Sequence, residues 1–312
     1  HRLDQLDRVA IHIHTSCLLK LAIAAAAPPR TLMREMKLAI AAMGAGAAAL
    51  AAYAAAIAYL RDRRWKSLVR TRDRPKLKIG YWAIRGLAAP LRMAAAYGGL
   101  KYESVEYELQ AKPGGGWDRS EWMEKKPALV EKNALMNLPY IVDGDIVITQ
   151  SNACLMYLGR KCGLAGWTEE DGLAVEQCLC QLMDLRNDTT RTAYSPDALT
   201  GSPSKFELHL QKSVPVHFKK LNGFMEQRGT AYLCADTPTV ADFHLFEMID
   251  QACRLAKFLG KPSPLDGFDK IAAVYASIRE EPRLAKYFAS PQYALPQNNK
   301  SASYGGDRND GR

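Results

Sequence analysis

The sequence predicts a two-part fold, an α/β domain over residues 76–163 followed by an all-α domain over residues 168–296. Short apolar runs typical of strands alternate with helical patterns in the first part. Strand patterns stop after Gly166, and only helical periodicity follows. At 312 residues the chain is long enough for two domains, each with its own core.

The first part is predicted in the order βαβ, long loop, ββα, which matches a thioredoxin-like domain. The predicted elements are strands at Leu77–Trp82, Tyr102–Leu109, Tyr140–Val142 and Ile146–Thr149, and helices at Leu87–Tyr97 and Asn152–Lys161. We expect Ser151 to cap the second helix, because serine is a favoured capping residue. The Gly-rich run Lys112–Gly116 opens a loop that we expect to reach about Met136.

The second part begins with a capping-box pattern, Thr168–Asp171, which predicts a long amphipathic helix towards Tyr194. A second capping box lies at Thr239–Asp242. Further helices are predicted over about 204–228, 239–258 and 269–287. The polar, Gly-rich tail over residues 297–312 is expected to be disordered.

The net charge of +9 is concentrated at one end of the chain. Residues 1–76 contain 14 Lys and Arg against 5 Asp and Glu, whereas the remaining residues contain 28 of each class. A nucleic-acid partner for the folded part is therefore not expected. Seven cysteines, an odd number without a CxxC pair, favour a reducing compartment such as the cytoplasm for that part.

The extension over residues 1–75 contains an uncharged, Ala-rich segment at residues 38–60, followed by a basic linker over residues 61–75. A helix of 23 residues is long enough to span a bilayer, but 13 of these residues are Ala and only six are Leu, Ile or Met. Three interpretations stay open: a membrane anchor, a cleaved targeting peptide, and a soluble helix. The six histidines show no metal-binding spacing, and no dinucleotide or P-loop motif is present.

Three short segments carry the strongest functional signal. Lys78–Leu87 (KIGYWAIRGL) is a strand that turns into a helix, Asn137–Tyr140 (NLPY) precedes the hairpin, and Gln150–Asn152 (QSN) opens the next helix. Together they resemble the glutathione-binding half of the glutathione transferases, and the first segment resembles the mu class. The resemblance covers about residues 76–296. It implies the fold of that family, with a thioredoxin-like domain and an all-helical domain.

By this resemblance Tyr81 is the catalytic residue. A free thiol has a pKa of about 8.5, so holding the glutathione sulfur as a thiolate two units lower needs about 2.7 kcal/mol. One hydrogen bond to a charged acceptor contributes about 1.5–3 kcal/mol. A single tyrosine hydroxyl aimed at the sulfur is therefore nearly sufficient.

The resemblance also implies how glutathione is held. The Leu138–Pro139 bond is expected to be cis, with the backbone before the proline pairing with the cysteinyl part. Ser151 and Gln150 are expected to bind the γ-glutamyl end, because a helix N-terminus attracts carboxylates. The other residues that the resemblance assigns to glutathione are Trp82, Leu87, Arg119, Trp122, Lys126, Asn137 and, across a dimer interface, Asp184.

The second substrate is expected to be a small apolar electrophile. Ile84 and Tyr194 are expected to line its pocket, with Tyr194 able to donate a hydrogen bond to an epoxide oxygen or a leaving group. Trp82 and Leu87 would add apolar surface there, and Tyr293 and Leu295 are weaker candidates. The resemblance implies a homodimer, in which Leu135 stands where the mu class normally has a larger Phe.

The activity implied is conjugation of glutathione, a cosubstrate, to electrophiles in detoxification, with no metal or other cofactor. Two alternatives stay open. One is a non-catalytic protein of the same fold that binds apolar ligands or acts as a scaffold. The other is a glutathione-dependent isomerase or peroxidase that uses the same site.

Overall fold

The computed structural model of the chain describes residues 77–306. The N-terminal extension, including the Ala-rich segment at 38–60, lies outside the described residues, as do residues 307–312. Within residues 77–306, no helix combines the length and the hydropathy that a membrane span requires.

The first part of the described chain is a mixed sheet flanked by helices, as predicted. Its elements are β1 (Leu77–Trp82), α1 (Ala88–Tyr97), β2 (Tyr102–Tyr107), β3 (Gln110–Ala111), β4 (Trp117–Asp118), α2 (Ser120–Val130), β5 (Tyr140–Asp143), β6 (Ile146–Thr149) and α3 (Ser151–Cys162). The main sheet has the strand order β2-β1-β5-β6. Strand β1 runs parallel to β2 and antiparallel to β5, and β5 and β6 form a hairpin.

The second part is helical, as predicted. It contains α4 (Glu169–Ala193), α5 (Lys205–Leu208), a π-helical turn (His209–Ser213), α6 (Val214–Arg228), α7 (Val240–Phe258), α8 (Asp269–Arg279), a 3-10 turn (Pro282–Leu284) and α9 (Ala285–Phe288). Helix α7 is buried on almost all sides and packs against α4 and α1. It is therefore the central helix of the core and connects the two parts.

Three predictions about elements are wrong. The expected loop before Met136 contains α2. This helix was not predicted because it includes Pro127 and because most of its residues are exposed, so it shows no clear apolar periodicity. The helix expected over 269–287 ends at Arg279, shortly before Pro282, whose ring and missing N–H break the α-helical pattern. Gln150, not Ser151, occupies the capping position of α3, and Ser151 is the first helical residue.

The expected disorder of the tail is also wrong for residues 297–306. Tyr304 is buried, and its ring packs against Phe206 and Phe258 at centroid distances of 5.7 and 4.8 Å. The Ser303 N–H donates to the Ala193 carbonyl at 2.8 Å. A polar composition predicted no core contribution, but one aromatic residue and backbone hydrogen bonds are enough to fix this segment.

The sheet places β1 in the centre, where side chains have little room. A Cβ atom on Gly80 would lie 2.1 Å from the ring of Tyr140 on the neighbouring strand. Glycine is therefore required here, since any side chain would displace that ring. The ring of Tyr140 also stacks on Trp122 at 6.0 Å, which ties α2 to the sheet.

Candidate functional site

A cleft of about 120 Å³ opens between the end of β1 and the helical part. Its lining includes residues of β1 and the turn after it, of α4, of α7 and of the tail. The lining residues are Tyr81, Trp82, Ile84, Gly86, Arg186, Thr190, Tyr194, His244, Met248, Gln251, Asn298 and Asn299. Of the predicted site residues, the structure therefore brings Tyr81, Trp82, Ile84 and Tyr194 to one cavity.

Tyr81 lies near the end of β1, and only 4% of its surface is exposed. Its hydroxyl makes no hydrogen bond with any described residue, and the side chain lines the cleft. Gly86 packs against the ring: a Cβ atom there would lie 2.7 Å from Cε1 of Tyr81, and the backbone φ of +37° disfavours other residues. The ring is thus held in place while its hydroxyl stays available to a ligand.

The turn after Tyr81 is held by a buried ionic cluster that joins it to α7. The Arg85 guanidinium lies 2.5 Å from Glu247 and 2.8 Å from Asp250, and all three side chains are buried. Burial alone would raise the pKa of Asp250, but the guanidinium groups of Arg85, Arg254 and Arg279 hold it well below its usual range. This network fixes the turn and contributes no group to the cleft.

Backbone hydrogen bonds also hold the same turn to the tail. The backbone N–H groups of Arg85 and Gly86 donate to the carbonyls of Pro296 and Gln297 at 2.7 and 3.3 Å. The next two residues of the tail, Asn298 and Asn299, then line the cleft. The sequence offered Tyr293 and Leu295 as weaker candidates for this surface, but neither is among the described residues that line the cleft.

Those two residues lie elsewhere. Leu295 is buried, and the Tyr293 ring packs over the Arg85 guanidinium at 4.5 Å from the ring centroid. Tyr293 therefore belongs to the ionic network below the turn. Leu87 is half-buried and packs against the main core, and it does not line the cleft among the described residues.

Tyr194 stands at the end of α4, and its hydroxyl accepts a hydrogen bond from the Asn299 N–H at 2.8 Å. Burial raises the pKa of Tyr194, and the nearby Tyr81 raises it further, partly offset by this hydrogen bond. The Tyr194 hydroxyl therefore stays protonated and close to Tyr81. It remains able to donate to an oxygen of a second substrate.

The Asn137–Pro139 segment lies beside the end of β6. The Leu138–Pro139 bond is cis, which confirms that expectation. Thr149, which sequence reasoning missed, fixes the segment: its hydroxyl donates to the carbonyl of Asn137 at 2.7 Å and accepts from the Asn137 N–H at 3.2 Å. The Leu138 N–H donates to Oδ1 of Asn137 at 2.9 Å, so a bound peptide must displace that amide to reach it.

The start of α3 combines strain with free donors. Gln150 has φ +72°, the only positive φ of a non-Gly residue among residues 77–306, and its side chain is exposed. Residues held in this region cost about 1–3 kcal/mol and cluster at functional sites. Ser151 is buried at the first helical position, where backbone N–H groups have no partner within the helix.

The three other predicted glutathione contacts of this domain lie on or next to α2. Arg119 precedes the helix and is exposed, whereas Trp122 is buried against Tyr107 and Tyr140. Lys126 is half-buried one turn further along, on the same face as Trp122. Asp184 is exposed on α4 and does not line the cleft within the described part.

Sequence reasoning missed the polar side of the cleft. We call this side the polar wall; it consists of Arg186, Thr190, His244, Gln251, Asn298 and Asn299. A spacing signal existed, because Arg186, Thr190 and Tyr194 recur every four residues on α4. The cleft therefore has a polar side in addition to the apolar surface that Trp82, Ile84 and Met248 supply.

His244 is the most buried member of the polar wall, with 1% of its surface exposed. Burial, and then the charge of Arg186, lower the pKa of His244 to about 3. The imidazole is neutral at pH 7 as a result. Within residues 77–306, no group of three or more His, Cys, Asp and Glu side chains is placed to hold a metal ion.

Two family models match the described chain. The model of the N-terminal domain of glutathione S-transferases matches residues 77–160, and the model of the C-terminal domain matches residues 183–291. These matches cover the sheet domain and most of the helical part.

Curated relatives and solved structures agree with these models. The chain is 32% identical over 240 residues to "Glutathione S-transferase Mu 1" of Oryctolagus cuniculus, covering 74% of this chain and 99% of the relative. It is 32% identical over 230 residues to "Glutathione S-transferase Mu 4" of Mus musculus, covering 73% and 98%. It is also similar to the crystal structure of the glutathione S-transferase Blo t 8, with a TM-score of 0.59, 26% identity and coverage of 73% and 99%.

Proposed function

Because the chain belongs to the glutathione S-transferase family, and within it resembles the mu class, we propose that it transfers glutathione to electrophilic carbon atoms. The observation that carries this proposal is the Tyr81 hydroxyl, which lies at the cleft and has no hydrogen-bond partner among the described residues. A scaffold would not need a free hydroxyl at this point. The conjugating enzyme is therefore favoured over the non-catalytic alternative.

Glutathione acts as a cosubstrate that lies along the sheet edge with its sulfur at Tyr81. Its γ-glutamyl end lies at Gln150 and Ser151, where the free N–H groups of α3 attract a carboxylate. Its cysteinyl part pairs with the backbone of Leu138, and Asn137 completes that side. Arg119, Trp122 and Lys126 hold the glycyl carboxylate.

Catalysis follows from holding the sulfur as an anion beside the second substrate. The Tyr81 hydroxyl donates to the thiolate and favours the charged form, and the thiol proton passes to solvent. The sulfur then forms a bond to carbon while a leaving group departs or an epoxide ring opens. The rate enhancement arises from stabilising the nucleophile and from the proximity of two bound reactants.

The assembly proposed is a homodimer in which Asp184 reaches the partner's glutathione. Leu135, 73% exposed just before the Asn137–Pro139 segment, offers an apolar contact to the second copy. Detoxification in the cytoplasm is the role we assign to the folded part. Whether residues 38–60 attach it to a membrane is decided by fractionation, because an alkaline carbonate wash releases a chain that does not span.

The test is conjugation of glutathione to 1-chloro-2,4-dinitrobenzene by the full chain and by Tyr81→Phe. We expect Tyr81→Phe to lower kcat/KM by about 10–100-fold, the effect of one lost hydrogen bond to a charged acceptor. The pKa of the bound thiol, followed by thiolate absorbance, should rise by about 1–2 units. Tyr157→Phe, a tyrosine that bonds Asp143 away from the cleft, is the matched control.

Two results would contradict the proposal. A wild-type chain that binds glutathione but does not conjugate it would favour the scaffold. A Tyr81→Phe variant with an unchanged rate and thiol pKa would show that another group stabilises the sulfur.

A further inference from the structure

Arg186 is the only charged side chain among the described residues that line the cleft. No Asp or Glu of residues 77–306 forms an ion pair with it, and its one hydrogen bond is a long contact of 3.4 Å to the neighbouring Asn187. It lies close enough to Tyr194 and His244 for its charge to influence the pKa of each. The cleft therefore contains one cation that the protein itself does not neutralise.

The rest of the polar wall is uncharged and has hydrogen-bonding capacity to spare. His244 is neutral, and its buried Nδ1 atom has no hydrogen-bond partner among residues 77–306. Asn298 uses its amide N–H in a bond to the Tyr304 carbonyl at 3.1 Å, which leaves its side-chain oxygen for other partners. A buried polar group without a hydrogen-bond partner is unfavourable, so a ligand that pairs with it is favoured.

These groups are poorly matched to a wholly apolar substrate. Such a substrate would remove water from Arg186 and His244 and would form no hydrogen bond with either side chain. An anionic oxygen would pair with the guanidinium, which is the side chain best shaped for bidentate binding of a carboxylate. The short apolar surface of Trp82, Ile84 and Met248 then suits the carbon skeleton of the same molecule.

We propose that the second substrate is an electrophile that carries a carboxylate, which Arg186 binds while Tyr81 directs the glutathione sulfur at the reactive carbon. This inference rests on the proposed transferase activity and specifies its substrate class. With a carboxylated aryl chloride, the sulfur–carbon bond forms, the carbon–chlorine bond breaks, chloride leaves and the thiol proton goes to solvent.

The experiment compares 4-chloro-3,5-dinitrobenzoate with its methyl ester, using the full chain. Each kcat/KM is divided by the rate constant of the uncatalysed reaction, because the ester is intrinsically more reactive. We expect the wild type to prefer the carboxylate by about tenfold or more, and Arg186→Gln to lower this preference by a similar factor. Arg186→Lys, which keeps the charge but loses the planar fork, should give an intermediate preference.

The matched control is Arg191→Gln, an arginine of the same helix that pairs with Asp188 on the exposed face. It should keep the wild-type preference. A wild type with no preference for the carboxylate would overturn the inference while leaving the transferase activity in place. An equal loss on both substrates in Arg186→Gln would also overturn it, because Arg186 would then serve glutathione or the fold.

Binding of the two S-aryl glutathione products, measured by calorimetry, separates this inference from the proposed function. A chain that is inactive with both substrates but binds the carboxylated product about tenfold more tightly than its ester would contradict the activity and support the inference. Equal affinity of the two products would overturn the inference whether or not the chain is active.

Discussion

One wall of the cleft comes from a single short stretch, Tyr81–Gly86, whereas the polar wall is assembled from α4, α7 and the tail. The first wall is positioned by β1 and by the turn that follows it. The second depends on packing between segments that are far apart in the chain. The first wall carries Tyr81, which we propose holds the glutathione sulfur, and the second carries Arg186, which we propose binds the second substrate.

Each wall has one arginine, and the two differ in their surroundings. Arg85, under the first wall, is fully buried between Glu247 and Asp250, and these carboxylates raise its pKa although burial alone would lower it. Arg186, in the polar wall, is half-buried and forms no ion pair with any Asp or Glu of the described residues. A paired, buried cation holds the fold together, whereas an unpaired cation at a cavity is free to bind a ligand.

Removing the two arginines gives the largest expected difference. Arg85→Leu leaves the buried Glu247 carboxylate without its ion-pair partner and removes one of the three arginines that pair with Asp250, so we expect the free energy of unfolding to fall by about 3–5 kcal/mol. Arg186→Leu leaves no carboxylate unpaired and should change it by less than about 1 kcal/mol. Urea denaturation followed by circular dichroism measures both, and similar values for the two variants would break the comparison.

The next effect in size is a loss of stability at acidic pH, caused by the buried neutral histidines His209 and His244. Burial lowers the pKa of His209 to about 4 and that of His244 to about 3, whereas an unfolded histidine titrates near 6.5. Below about pH 6.5 the unfolded chain binds more protons, so stability falls as the pH falls, by about 2 kcal/mol per histidine at about pH 5. The contribution is fully present above that range.

His244→Leu should remove the contribution of one histidine to the pH dependence of the free energy of unfolding. We expect the plot of unfolding free energy against pH to lose a slope of about 1.4 kcal/mol per pH unit between about pH 5 and 6. Parallel plots for the variant and the wild type would show that His244 is charged in the folded chain. In that case Arg186 would not be the only cation in the cleft.

The smallest effect concerns Tyr194, which touches both the tail and the cleft. Tyr194→Phe removes the acceptor of the Asn299 N–H, which should cost about 1 kcal/mol of stability. If the hydroxyl also donates to a substrate oxygen, kcat/KM for an epoxide should fall by about fivefold more than kcat/KM for an aryl halide. An equal fall for both substrates would confine Tyr194 to its contact with the tail.

The first wall could be predicted because its residues are consecutive. Tyr81 and Trp82 end β1 and Ile84 lies in the turn after it, so they belong to one short segment whose resemblance to the mu class assigned them to the site. The same holds for the Leu138–Pro139 segment and for Ser151, each of which belongs to a short motif. The anchor Thr149 was missed because a threonine at a strand end carries no signal of its own.

The polar wall could not be predicted in the same way. His244 and Gln251 lie on a helix that is buried on nearly every side, so amphipathic periodicity could not show which face meets the cleft. Asn298 and Asn299 belong to a polar tail that composition alone identifies with disorder. Their positions depend on Tyr304 and on backbone hydrogen bonds to the Arg85–Gly86 turn, which no local pattern reveals.

Those two hydrogen bonds, from Arg85 and Gly86 to Pro296 and Gln297, join the first residues of the cleft to residues near the other end of the described chain. The cleft therefore gains one of its edges only after translation has passed the tail. A chain cut before Pro296 would keep Tyr81 but would lose Asn298 and Asn299 from the lining of the cleft.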